Sequence, residues 1–223
     1  TRVWKFHYQN IFAELSPITA SDRRGYNLLP KKYMAAHYLN FNLTKNLTVG
    51  IYEAVMFGRN NNFEFQYLNP LIFYRTVEGF IGSPDNVLLG SNIKWNLFNQ
   101  FQLYGQFILD EFKFDELFIE RRGWWANKYG IQAGVKYIDV IGIDHLDAQI
   151  EYNRARPFTY THRDSSASYS HYNQPLAHPL GANFEELLLK LRYQPFQKLV
   201  VDSRIIFMNY GEDTAIETGE VMF

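Results

Sequence analysis

Cysteine is absent from the sequence, which excludes disulfides and thiolate metal sites and suits an oxidising compartment. No apolar run reaches the roughly 18 residues a helix needs to cross a bilayer. Charge of one sign is equally scarce: 22 Lys and Arg stand against 23 Asp and Glu, a formal net charge of −1. There is therefore no basic stripe for nucleic acid and no acidic tail. A sustained 3.6-residue period, the mark of amphipathic helices, is missing too. What the chain has in quantity is aromatic side chains, 17% of the sequence with 19 Phe and 16 Tyr, and these favour strands. The mean hydropathy of −0.29 fits a soluble β protein. It fits an outer-membrane barrel equally, because barrel strands alternate lipid-facing and lumen-facing residues.

Pattern separates the two. Period-2 alternation recurs along the chain. In the segment from Phe101 to Glu111, Phe101, Leu103, Phe107 and Leu109 oppose Gln102, Tyr104, Gln106 and Asp110. Trp125, Tyr129, Ile131, Ala133, Val135 and Tyr137 oppose Lys128, Gln132 and Lys136. Leu146, Ala148, Ile150 and Tyr152 oppose Asp147, Gln149, Glu151 and Asn153; Leu187, Leu189, Leu191 and Tyr193 oppose Glu186, Lys190 and Arg192. Weaker versions occupy 2–14, 31–43, 47–57, 86–97 and 198–210, giving about nine strands of mostly about 10–14 residues. Soluble strands average about 5–6 residues, whereas tilted membrane strands need about 9–11.

The connections point the same way. Short ones (44–46, 98–100, 139–143 and 195–197) alternate with long ones (15–30, 58–85, 113–122 and 158–182), and another long one opens at 211. Outer-membrane barrels show this asymmetry, with tight periplasmic turns and long external loops; a Greek-key sandwich has no reason to keep it. The expected fold is all-β, an antiparallel transmembrane β-barrel. Leu103, Phe107, Leu109, Ile131, Val135, Ile150, Leu189 and Leu191 are expected to face lipid. Gln106, Lys128, Lys136, Gln149, Glu151, Lys190 and Arg204 are expected to face inward.

Nine is an odd count, while single-chain bacterial barrels have even ones, and an open sheet leaves backbone groups unpaired in lipid. The chain opens at Thr1-Arg2-Val3-Trp4 without the export signal a barrel needs, and Gly211-Glu212-Asp213-Thr214 reads as loop. Residues 1–223 are thus expected to be part of a single barrel domain, truncated or partly traced at both ends.

Three acidic pairs, Asp110-Glu111, Asp115-Glu116 and Glu185-Glu186, raise general acid/base chemistry. Neighbours on a strand point to opposite faces, so the first and third pairs cannot converge on one substrate, and the second has no His nearby in sequence. No enzyme activity is expected. His162, His171 and His178 share one long loop region without a recognised metal-ligand spacing, so no metal or other cofactor is expected. Asn42-Leu43-Thr44 and Asn46-Leu47-Thr48 are formal glycosylation sequons beside a short, periplasmic-side turn, and are discounted. The inward set mixes signs, with Lys5, Lys94, Lys128, Lys136, Lys190, Arg192 and Arg204 against Asp110, Asp147, Glu151, Glu186 and Asp202. A selective channel would present one sign; interleaved charges describe a cross-braced interior.

The loop at 158–182 runs about 25 residues between two clean strands, far beyond the usual hairpin. Phe158, Tyr160, Tyr169 and Tyr172 give it aromatic mass, and Pro157, Pro175 and Pro179 restrict its backbone. Aromatic faces beside Arg, His, Asn and Asp edges suit sugar rings, and equally suit protein partners. The candidate ligand-binding residues are Tyr160, His162, Arg163, Tyr169, His171 and Tyr172.

Several segments resemble the Wzi-like capsule-assembly family, in particular its gliding-motility, RemB-like branch. They are Tyr67-Leu68-Asn69-Pro70 with Phe73-Tyr74-Arg75 and Glu78, then Leu103-Tyr104-Gly105-Gln106 with Leu109-Asp110-Glu111-Phe112. Next come Gly123-Trp124-Trp125-Ala126-Asn127-Lys128-Tyr129-Gly130 and Glu151-Tyr152-Asn153 with Arg156-Pro157-Phe158-Thr159-Tyr160-Thr161-His162. The last is Leu176-Ala177-His178-Pro179-Leu180-Gly181-Ala182-Asn183. The similarity covers most of residues 50–210, and the pieces fall in order. The resemblance implies an outer-membrane barrel of about eighteen strands, of which this chain would be roughly half. It implies a surface role in a Gram-negative bacterium: binding or anchoring capsular polysaccharide, or supporting gliding. The expected partners are surface polysaccharide or lipopolysaccharide, outer-membrane lipid and other envelope proteins, with no nucleic acid. The rivals are a solute pore and a structural subunit of a secretion or motility machine.

Overall fold

The computed structural model describes residues 2–16, 31–58, 64–68, 85–110, 128–162 and 167–211. In chain order the strands are β1 (Arg2–Val3), β2 (Phe6–Leu15), β3 (Lys32–Asn42), β4 (Leu47–Phe57), β5 (Asn86–Leu97), β6 (Phe101–Leu109) and β7 (Tyr129–Tyr137). They continue as β8 (Leu146–Ala155), the short β9 (Ser170–His171) and β10 (Gln174–Pro175), β11 (Phe184–Phe196) and β12 (Leu199–Tyr210). Apart from β1, β9 and β10, every strand has 9 to 13 residues, the length that membrane crossing rather than a soluble core requires. Among the described residues helical structure is confined to 3-10 turns at Phe65–Leu68 and Val140–Gly142 and the single residue Ala167.

One antiparallel sheet runs in the order β1-β2-β3-β4-β5-β6-β7-β8-β11-β12, and β9 and β10 pair separately. This up-and-down order puts the connections β3–β4, β5–β6, β7–β8 and β11–β12 at one end. The connections β2–β3, β4–β5, β6–β7 and β8–β11 lie at the other. The short turns are built from their own side chains. Thr44 Oγ1 accepts from the Asn46 and Leu47 amides at 3.2 and 3.0 Å, and Thr48 Oγ1 donates to Asn42 Oδ1 at 2.9 Å. The sequon residues thus serve the turn. Phe98 and Asn99 both take positive φ, 52° and 59°, the mirror-image turn shape whose twist matches the strands. Asp139 Oδ1 holds the His145 amide at 2.8 Å across the β7–β8 turn.

Register assigns every strand residue to a face, because directly paired residues point the same way. Gln106, Gln132, Asn153 and Glu186 pair in sequence across β6, β7, β8 and β11. Gln102, Lys136, Gln149, Lys190 and Arg204 do so two same-face positions nearer the short turns. Opposite them run Leu103, Val135, Ile150, Leu189 and Ile205. Each residue expected on the apolar side lies there, and the strand residues expected on the polar side lie opposite. Lys128, just before β7, sends its ammonium to the Thr161 carbonyl at 2.8 Å.

The apolar face stands open. Ile93, Trp95, Phe107, Ile131, Ile150, Leu191, Ile205 and Phe207 are all exposed on it. Nine strands at about 4.8 Å spacing make it about 40 Å wide. Over an apolar band about 25 Å tall that is on the order of 1,000 Å2, beyond the roughly 300–600 Å2 patch of an ordinary soluble monomer. Towards the short turns, rings pair along its rim: Phe6 on Phe41 at 4.6 Å and Phe101 on Tyr137 at 4.3 Å. The turns themselves present Phe98, 84% exposed, and Ile141, 83% exposed. At the other end Phe107 meets Tyr129 at 6.2 Å, with the Arg156 guanidinium 5.5 Å from the Tyr129 ring. Arg154 and Glu185 form a 3.2 Å ion pair there. An apolar belt between two aromatic rims is the surface a β-sheet presents to lipid.

Among the described residues, loops cover the sheet only at the long-loop end. On the apolar side Tyr67 joins Ala35, Val55, Phe57 and Val87, its hydroxyl donating to Asp85 Oδ2 at 2.5 Å. On the polar side Tyr160 and Tyr169 pack on Ala54, Leu88 and Ile108.

Facing has a direct consequence for stability. Leu189→Arg is expected to cost about 2–4 kcal/mol in bilayer vesicles. Lys190→Gln removes only a half-exposed 3.2 Å pair with Asp202 and should cost under about 1 kcal/mol. Urea unfolding in vesicles compares them; equal losses would contradict a lipid-facing Leu189.

Candidate functional site

The polar face is concave: one cavity of about 580 Å3 is bordered by residues from each of β2 to β7 and by Tyr169 of the β8–β11 loop. Tyrosines, amides and two lysines make up much of its wall: Tyr38, Tyr52, Tyr104, Asn92, Gln102, Gln106, Gln132, Lys94 and Lys136 all border it, beside Glu53, His37 and aliphatic side chains such as Ile11 and Ile93. The tyrosines lie down along the sheet because a neighbouring strand offers glycine. A Cβ on Gly90 would stand 2.2 Å from the Tyr52 ring, and one on Gly134 would stand 2.3 Å from the Tyr104 ring. Tyr38 lies over Gly50 in the same way, at 2.7 Å. Glycine normally weakens a strand interior, and here it marks the close approach of a ring.

Laid flat, these rings reach past their neighbours. Tyr52 Oη accepts from Gln106 Nε2 at 2.8 Å and lies 3.3 Å from the Phe107 carbonyl. Tyr104 Oη donates to Glu151 Oε2 two strands away and accepts from Gln149 Nε2 at 2.8 Å. Glu151 also accepts from Gln132, Gln149 and Asn153 at 3.2, 3.2 and 2.9 Å. Asn153 Nδ2 continues to Glu186 Oε2 at 2.8 Å, which faces His178 Nε2 at 3.3 Å. A buried carboxylate is tolerated when donors surround it, so this chain of bonds cross-braces β6, β7, β8 and β11. Glu186 serves it from the polar face while Glu185 pairs with Arg154 on the other, so the two acids do point apart.

The β8–β11 loop roofs the long-loop end of the cavity. It starts beside β7, where the Tyr160 amide donates to Asp110 Oδ2 at 2.6 Å and Thr159 Oγ1 to the Tyr129 carbonyl at 3.3 Å. It then crosses to the far side of the sheet. Lys32 Nζ donates to the Ser168 carbonyl at 2.8 Å and to Ser170 Oγ at 3.2 Å. The Ser16 amide donates to His171 Nδ1 at 3.2 Å, and the Tyr172 amide to the Ser16 carbonyl at 2.9 Å. Tyr172 and Asn173 turn the β9–β10 hairpin with positive φ, 48° and 59°. The loop returns to β11 with His178 stacked on Phe184 at 4.5 Å.

This course divides the candidate residues. Tyr160 and Tyr169 turn inward, packed 6.1 Å apart on the sheet. Burial raises both hydroxyl pKa values, Tyr160's further through its neighbours Tyr52 and Asp110, so both rings stay neutral. His171 fastens the loop to the end of β2, with the Tyr172 ring 4.1 Å away and exposed. His162 is half-buried, its amide on Ser168 Oγ at 3.2 Å. Arg163 lies outside the described residues, as do Glu111, Asp115, Glu116 and the segment 111–127. The loop therefore brings His171 and Tyr172 together at the surface and commits Tyr160 and Tyr169 to packing.

A family model described as Capsule assembly protein Wzi matches residues 5–213. The chain belongs to that family. Membership gives it a role connected with capsule assembly. No curated protein and no solved structure matches the chain. In this Wzi-family chain the residues that sequence reasoning missed are Tyr38, Tyr52 and Tyr104 on the cavity wall. Their signal was present as Gly50, Gly90 and Gly134, interior strand glycines whose purpose shows only once register is known.

The ring-on-glycine contact is testable by coupling. Gly90→Val should cost about 1–3 kcal/mol through overpacking, and clearly less in a chain already carrying Tyr52→Ala. Urea midpoints of the four-member cycle measure this; the same cost in both backgrounds would refute the contact.

Proposed function

We propose that this chain forms one side of an outer-membrane β-barrel that holds capsular polysaccharide at the cell surface, with the long loops outside. The observation that carries the reading is the loop-roofed concavity of tyrosines and amides on the face opposite the apolar belt. Sugar rings have apolar faces and hydroxyl edges, and flat-lying phenol rings flanked by Gln and Asn side chains match both. Family membership supplies the capsule.

The sheet ends at β1 on one side and at β12 on the other, and β12 is exposed along its whole length. An edge unpaired in hydrocarbon costs several kcal/mol per backbone group. The proposed barrel therefore closes with further strands, towards a total of about eighteen. The role needs no bond chemistry: the acids of the polar face are engaged by Tyr104, Asn153 and the Tyr160 amide rather than set against a nucleophile. A solute pore would use the same concavity, but the loop fastened across it to Lys32 and Ser16 opposes an open conduit. Support of surface gliding would draw on the same attachment, with lipopolysaccharide or envelope proteins meeting the loops.

The test uses one exposed and one half-buried loop side chain rather than the fully packed Tyr160 and Tyr169. His162→Ala with Tyr172→Ala should lower cell-associated capsule severalfold while the barrel still migrates as a folded species in unheated gels. Retention equal to wild type would remove the loop from polysaccharide binding. A spreading assay on the same strains reads the motility role independently.

A further inference from the structure

The lysines of the polar face are not alike. Lys190 is paired with Asp202 at 3.2 Å, and Lys32 donates to the Ser168 carbonyl at 2.8 Å and to Ser170 Oγ at 3.2 Å. Among the described residues Lys94 and Lys136, both bordering the cavity, have no ion-pair partner. They bracket one side chain. Lys94 on β5 stands directly opposite Tyr104 on β6, and the Lys136 ammonium on β7 lies 5.4 Å from the centre of the Tyr104 ring. Glu151, the carboxylate that Tyr104 reaches, is occupied by Tyr104, Gln132, Gln149 and Asn153, and Glu53, which also borders the cavity, alternates with Tyr52 onto the opposite face of β4. Two uncompensated cations so placed repel one another and raise the potential of a walled cavity.

An anion between them would relieve that repulsion. The remaining walls say what carries it. Tyr38 and Tyr52 lie along the sheet over Gly50 and Gly90, giving ring surface for an apolar sugar face. Asn92, Gln102, Gln106 and Gln132 supply amide donors and acceptors for hydroxyls. We propose that the cavity around Tyr104 is a subsite for a carboxylate-bearing sugar residue, a hexuronate within an acidic polysaccharide. Its carboxylate sits between Lys94 and Lys136, and its ring sits against Tyr38 and Tyr52. This rests on the polysaccharide-binding reading and specifies the chemical class of the ligand.

The full-length protein in detergent is titrated calorimetrically with hexagalacturonate and, separately, with maltohexaose, its neutral counterpart. Hexagalacturonate should bind and weaken as salt is added, with maltohexaose weaker by at least about tenfold. Lys94→Gln and Lys136→Gln should each lose about tenfold for hexagalacturonate, the size of one charged hydrogen bond, and little for maltohexaose. Lys190→Gln serves as the control and should bind as wild type. The proposal is overturned by an absence of hexagalacturonate binding, by equal affinity for the neutral oligomer, or by lysine variants that bind as wild type. Salt dependence and the neutral comparison are read on the unaltered protein, so they decide the matter even if a variant does not fold. Capsule retention in a strain lacking the protein tests the underlying function separately. If retention needs the protein but not the two lysines, only the subsite is wrong.

Discussion

A strand laid in hydrocarbon has no water to satisfy its N–H and C=O groups, so each must find a partner in another strand. From that constraint the rest of this structure follows. Long antiparallel neighbours give ladders between every adjacent pair from β2 to β12 in the ten-stranded sheet. The pleat then forces every second side chain to one solvent and its neighbours to the other. Leu189 and Lys190 therefore meet opposite surroundings although they are adjacent. The same constraint confines irregular backbone to the ends, with turns such as 98–100 at one end and the β8–β11 loop at the other.

Within that frame the polar face solves a second problem, how to stiffen a curved sheet that has no packed core beneath most of it. Its answer is lateral. Tyr52 and Tyr104 lie over glycines of the next strand and bond beyond it, and Glu151 gathers four donors from three strands. The β8–β11 loop adds a longer tie, fastened at Asp110 near β6 and at Lys32 and Ser16 beside β2 and β3. Bracing by side chains leaves open space between the rings, and that space is the cavity. Stiffness and binding capacity thus come from the same tyrosines.

Much of the fold was legible in the residues, and for a physical reason. A side-chain period of two is written directly into a sequence such as that of β8, where Ile150 and Tyr152 alternate with Gln149, Glu151 and Asn153. Turn lengths are equally local. The candidate site was less legible, because it depends on which residues meet across strands. Nothing local to Tyr160 says that it turns inward onto Ala54 and Leu88, nor that His171 reaches Ser16. The loop's aromatic content marked it as ordered without saying which of its rings would pack and which would stay exposed. The glycines at 50, 90 and 134 were visible, but their partners were assigned only by register. The 3-10 turn at Phe65–Leu68, which sets Tyr67 against the apolar face, carries no periodic signal at all.

The central claim is that one face of this sheet meets lipid and the other meets water, and the absence of native cysteine makes it directly measurable. Single cysteines placed in turn from 186 to 193 along β11 can be reacted with a water-soluble maleimide on vesicle-embedded protein, with no background from the chain. Beyond 186, which is buried against Asn153 and His178, labelling should alternate strictly, fast at 188, 190 and 192 and slow at 187, 189, 191 and 193. Uniform labelling along β11, or alternation in the opposite phase, would contradict the account.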